Sequence, residues 1–99
     1  MEITVEHGET LTISLAGQLD TLTSAGFEKE IRAILKSESP AVVLNGRMLT
    51  YISSAGLRLL LTLQKGMKAK GGTLRLTNIR PEIMEIFNIT GFSSILTVE

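Results

Sequence analysis

The sequence predicts an α/β domain, a mixed β-sheet of about four to five strands with helices packed on it, in the order β-β-α-β-α-β-α-β. Three observations lead there. Near the start, apolar Leu11, Ile13 and Leu15 alternate with Thr12 and Ser14, the period of a half-buried strand. Two later stretches, 22–36 and 55–70, change to the period of a helix. Short apolar or alternating runs stand between and after them, so parallel strand pairs would form across helical crossovers.

Taken in order, residues 2–6 and 9–16 read as two strands, with His7-Gly8 as the turn between them. Phe27, Ile31, Ile34 and Leu35 then stand at i, i+4, i+7 and i+8, one face of a first helix. Thr21 and Thr23 are its candidate N-caps, and Pro40 bars its continuation. Residues 41–44, Ala-Val-Val-Leu, suit a strand buried on both faces. A ten-residue connection, 45–54, leads to a second helix over 55–70, which Gly71-Gly72 stops. Residues 73–78 alternate again through Leu74 and Leu76. Pro81 opens a third helix carrying Ile83, Met84 and Phe87, and 95–98 reads as a last strand.

Composition narrows the function. A chain of 99 residues forms one domain, expected to span 1–99. The only aromatics are Phe27, Tyr51, Phe87 and Phe92, so the core is mainly aliphatic. Ten basic residues balance ten acidic ones, which argues against direct binding to nucleic acid. The absence of cysteine removes disulfides, thiolate metal sites and cysteine nucleophiles. The opening residues carry no signal-peptide pattern, and no apolar run approaches the ~18 residues that span a bilayer. A cytoplasmic protein without membrane insertion is expected.

On the second helix Leu57, Leu59, Leu60, Leu61, Leu63 and Met67 form a broad apolar arc. Ser54, Arg58, Thr62 and Lys65 share the remaining polar sector. Any amphipathic helix has such a stripe, and Ser54 would equally serve as an N-cap, whose oxygen accepts a backbone N–H. Gly56 is harder to explain by stability, because glycine in a first turn costs ~1 kcal/mol relative to alanine. It suits close approach by a partner, a phosphate or another backbone, or tight packing against a neighbouring element.

The segment Leu49-Thr50-Tyr51-Ile52-Ser53-Ser54-Ala55-Gly56-Leu57-Arg58 resembles the signature of the STAS domain family, the bacterial anti-sigma factor antagonists. Gly17-Gln18-Leu19-Asp20, the apolar run 41–45, Leu76-Thr77-Asn78 and Thr90-Gly91-Phe92 agree with the family in order and spacing, so the resemblance covers nearly the whole chain. It implies a STAS-type single domain that binds an anti-sigma factor with serine kinase activity and so releases a sigma factor. It also implies that this kinase phosphorylates Ser54 to end binding, and that a serine phosphatase reverses the mark. Asp20 matches a family acidic residue near the same surface. The expected partner-binding set is Asp20, Ser53, Ser54, Gly56, Arg58, Thr62 and Lys65, on a monomer or weak dimer without cofactor or metal. Asn45, Gly46, Arg47 and Ser53 depart from the family's commonest residues, and its usual final helix is absent from 1–99.

Other classes fit less well. A nucleophilic serine needs a base within reach, and the only histidine, His7, stands in a turn. Neither a Gly-x-Ser-x-Gly elbow nor a phosphate loop is present, so no enzyme is expected. The alternative is a STAS subunit without a kinase cycle, as accessory to a lipid-transport ABC complex or scaffold of a stress-signalling assembly. For the switch, three behaviours are expected. Gly56→Ala spares the free protein and weakens binding. Phosphate goes to Ser54 and not to Ser53. Phosphorylation ends binding without unfolding the domain.

Overall fold

A computed structural model describes residues 1–99. Its elements are β1 (Glu2–Glu6), β2 (Leu11–Leu19), α1 (Ser24–Lys36), β3 (Ala41–Ile52), α2 (Ser54–Ala69), β4 (Thr73–Thr77), α3 (Pro81–Thr90) and a 3₁₀ turn at Phe92–Ser94. One sheet has the order β1-β2-β3-β4. β1 and β2 form an antiparallel hairpin, whereas β2–β3 and β3–β4 are parallel, joined by the α1 and α2 crossovers.

The helices share one face of the sheet. Leu11, Ile13 and Leu15 of β2, Val42 and Leu44 of β3, and Leu74 and Leu76 of β4 are all buried. They join Phe27 and Ile31 of α1, Leu60, Leu63 and Met67 of α2, and Ile83 and Phe87 of α3 in one aliphatic core. Residues that alternate with them, such as Thr12, Ser14, Val43 and Arg75, are half-buried or exposed. The run 41–44 is therefore covered on one face, not both. Its other face, with Ala41 and Val43, is the uncovered side of the sheet and only half-buried.

Two other expectations change. The stretch 45–54 is not a connection: β3 continues to Ile52 and only Ser53 separates it from α2. The cause is a pair of bulges. Between Leu11↔Val42 and Leu19↔Ile52 the register shifts twice, after Ser14 and after Gly17, each time adding a residue to β3. Burial along β3 therefore falls at Val42, Leu44 and Gly46, then at Leu49 and Ile52, a spacing of two followed by three. Alternation, which identifies a strand from sequence, is lost there. The second change is at the end. Ile95 closes the 3₁₀ turn with an N–H bond to the Phe92 carbonyl at 3.0 Å, and Leu96 turns into the core. Only the bridge Leu76↔Val98 remains of the expected last strand.

The helix ends largely follow the sequence. Pro81 is the first residue of α3, and Gly71, at φ +78°, follows the end of α2 in the left-handed region. Thr23 occupies the α1 N-cap, yet its side chain makes no capping bond. Asp20 supplies the chemistry instead.

Candidate functional site

The parallel pairing of β2 and β3 ends on Leu19↔Ile52, so the chain leaves both strands side by side at Asp20 and Ser53. The Ser53 N–H donates to the Leu19 carbonyl at 2.9 Å, which ties the two exits together. Ligand and partner sites on α/β sheets gather at such carboxyl ends, where helices begin and loops are free to vary. His7 lies at the other end of β2, roughly 25–30 Å away at ~3.3 Å per strand residue. It takes no part.

Asp20 closes a tight clasp. Its Oδ1 accepts the backbone N–H groups of Leu22 and Thr23, each at 3.0 Å, and its carbonyl accepts the Ser24 N–H at 2.9 Å. The Thr23 hydroxyl donates to the Gln18 carbonyl at 2.8 Å and accepts the Asp20 N–H at 2.9 Å. The Thr23 backbone N–H, helped by the Thr23 hydroxyl and the Leu22 N–H, holds the carboxyl below its ordinary value of 3.8, against a smaller opposing effect of desolvation. Asp20 is thus an ionised turn anchor. Its Oδ1 and its carbonyl oxygen are occupied within its own loop, while Oδ2 makes no hydrogen bond.

The two serines divide their work. Ser53 has extended backbone, φ −90° and ψ 174°, and its Oγ accepts the Gly56 N–H at 3.2 Å. Ser53, not Ser54, is therefore the N-cap of α2. Ser54 is the first helical residue, exposed, and its hydroxyl has no hydrogen-bond partner within the domain. It stands where the helix has unpaired N–H groups and the positive end of its dipole.

Of the two roles the sequence leaves open for Gly56, the structure supports packing. It is buried, and a Cβ there would lie 2.8 Å from both Leu19 Cγ and Ile52 Cγ1. The residue faces the sheet, not a partner. Its lack of a side chain lets the first turn of α2 sit on the ends of β2 and β3. Alanine at this position is therefore expected to strain the free protein instead of sparing it.

Arg58, Thr62 and Lys65 are exposed along α2, as expected, and continue the stripe from Ser54. The Thr62 hydroxyl donates back to the Arg58 carbonyl at 3.0 Å. Arg58 and Lys65 have no carboxylate within ion-pair distance; the three ion pairs are Glu28–Arg32, Arg75–Glu99 and Arg80–Glu82. Leu61, assigned by periodicity to the apolar arc, is only half-buried and does not pack on the core. Between α1 and α2 runs an open cleft of about 320 Å³ with Ser24, Ala25 and Glu28 on one wall and Ala55, Arg58 and Thr62 on the other.

Two exposed apolar residues at this edge were not singled out from the sequence. Leu22, at the tip of the Asp20 clasp, is 90% exposed, and Tyr51, just before Ser53, is 47% exposed. A leucine enclosed by threonines in a turn was the available signal for the first. For Tyr51 the bulged strand left no pattern to read.

Comparison with known proteins agrees with this architecture. A model of the STAS domain matches residues 3–99. BtrV of Bordetella bronchiseptica is 34% identical over 99% of this chain and 85% of its own length. The anti-sigma F factor antagonist of Paenibacillus polymyxa is 26% identical over 99% of this chain and 86% of its own. The structure of the anti-sigma factor antagonist SpoIIAA in its unphosphorylated form superposes with a TM-score of 0.83 at 24% identity, covering 99% of this chain and 88% of that one. A Bacillus SpoIIAA in its phosphorylated form gives 0.77 at 22% identity, covering 99% and 91%.

Proposed function

The chain belongs to the STAS domain family, and from that premise we propose that it is a cytoplasmic anti-sigma factor antagonist switched by phosphorylation of Ser54. The unmodified domain binds an anti-sigma factor with serine kinase activity and releases the sigma factor. The kinase transfers the γ-phosphoryl of ATP to the Ser54 oxygen, ADP leaves, and the hydroxyl proton is lost. A serine phosphatase restores the hydroxyl.

The observation that carries this reading is the division of labour between the serines. A phosphoacceptor must be reachable and must not be holding the fold together. Ser54 is exposed with a free hydroxyl, while Ser53 is half-buried and bonded to Gly56 N–H. A phosphate on Ser54 would add about −1.5 to −2 charges and three acceptor oxygens beside helix N–H groups that lack partners. A phosphate on Ser53 would remove a cap. Membership of a family whose curated relatives include an anti-sigma F and an anti-sigma-B factor antagonist supports the partner class.

The test is direct. The protein is incubated with ATP and with each ATPase-type anti-sigma kinase of its own organism, and the product is mapped by peptide mass spectrometry. One phosphate is expected on Ser54 and none on Ser54→Ala. Modification at Ser53, Ser93 or Ser94, or no kinase that binds the unmodified domain, would overturn the reading.

A further inference from the structure

A net charge of zero hides a strong segregation of charge. No Asp or Glu occurs between Glu38 and Glu82, whereas seven Lys and Arg residues do. That stretch contains β3, α2 and β4. All ten carboxylates belong to the rest of the chain. α2 itself carries Arg58, Lys65 and Lys68 without an acidic residue, and all three are exposed. Lys70, just beyond, is committed to the carbonyls of Ile34 and Ser37 at the end of α1. The one carboxylate lining the cleft, Glu28, is already paired with Arg32 at 2.7 Å. Half-buried Leu61 lies between Arg58 and Lys65 at i+3 and i−4, on the same outer face as Ser54.

From this we infer that the surface of the anti-sigma factor docking on α2 is acidic, and that phosphorylation of Ser54 works by cancelling the charge that attracts it. The inference rests on the proposed function and adds the chemistry of the partner. Free cations around one apolar side chain complement carboxylates around an apolar contact, and such complementarity sets encounter rate and partner choice. A phosphoserine of about −1.5 to −2 at the head of this stripe offsets the charges of Arg58 and Lys65 and removes the attraction. A different mechanism, a partner pocket shaped only for a hydroxyl, would need no cationic helix.

Ionic strength separates the two. The screening length falls from about 14 Å at roughly 50 mM salt to about 4 Å at roughly 500 mM. Affinity of the cognate kinase for unmodified and phosphorylated protein is measured by calorimetry across that range, with a non-hydrolysable ATP analogue present. The unmodified form should lose affinity roughly tenfold or more as salt rises. The phosphorylated form should hold or gain, so that the gap between them narrows. Arg58→Glu and Lys65→Glu should each weaken binding at low salt at least about tenfold and keep their melting temperature. Arg75→Glu, the same charge change on the open sheet face, should stay within about twofold. A gap that salt does not narrow, or charge reversals that bind normally, would overturn the acidic-partner inference while leaving the phosphorylation switch standing. Failure of the unmodified protein to bind at any salt would overturn both.

Discussion

α1 and α2 start side by side from adjacent parallel strands and pack on the same face, yet their first turns are built differently. α1 begins in a loop that holds itself closed, with Asp20 and Thr23 exchanging hydrogen bonds over four residues. Its surface mixes signs, and Glu28 pairs with Arg32. α2 begins directly from a strand with a single capping serine, and its surface is cationic throughout. The first start is an anchor. The second holds only as much as the fold requires and leaves Ser54, Arg58 and Lys65 unengaged. A modifiable surface needs that second kind of construction, because a group already committed to the fold cannot be altered without cost to stability.

The strongest way to break this contrast is at the hidden side of the α2 start. Gly56→Ala should destabilise the free domain, because overpacking against Leu19 and Ile52 costs about 1–3 kcal/mol and helix propensity returns at most ~1. Urea unfolding measures it. An unchanged midpoint would mean that the helix start shifts easily and is less fixed than its packing suggests. Next in size is Ser53→Ala, which removes the cap to Gly56 N–H and should cost about 1 kcal/mol.

The Asp20 clasp sharpens the comparison through pH. Because its folded carboxyl titrates below 3.8, its contribution is present above that value and is lost as pH falls through the lower folded value. Wild-type protein should therefore show an acid limb in a stability–pH profile that Asp20→Asn reduces, while Asn keeps an acceptor for the Leu22 and Thr23 N–H groups. An identical acid limb in both proteins would assign it to other carboxylates. The smallest effect is expected at Ser54. Ser54→Ala should change stability by no more than ~0.5 kcal/mol, and phosphorylation should leave the melting temperature level or raise it by the ~0.3–1 kcal/mol of an anion at a helix start. A phosphorylated form that melted well below the unmodified one would make the switch an unfolding event.

Much of this was legible in the sequence, for reasons that also explain the misses. Helical period placed α1 and α2 because their core faces are complete, and Pro81 and Gly71 mark ends that only those residues favour. The outer half of β3 is hidden in the sequence because two bulges replace alternation by a spacing of three, and no local pattern reports a bulge. The Ser53–Ser54 motif marks the start of α2, but which serine caps the helix depends on one hydrogen bond to Gly56. Gly56 itself stayed ambiguous, since spacing cannot say whether a missing side chain faces outward or inward. The run of leucines around Leu61 points it to the core, although its own angle around α2 lies within the polar sector. Charge segregation was visible in the letters, but averaging over the whole chain erased it.

The two bulges have a further consequence, for chain length. β2 takes eight steps from Leu11 to Leu19 while β3 takes ten between the matching partners. The surplus works like a vernier, fixing how far β3 has rotated when it hands the chain to α2. Removing one bulge residue would swing Ile52 and everything after it toward the wrong side of the sheet, whatever its identity. In β3 a deletion is therefore more dangerous than any surface substitution, and homologous chains aligned through this strand should differ in letters far more readily than in count.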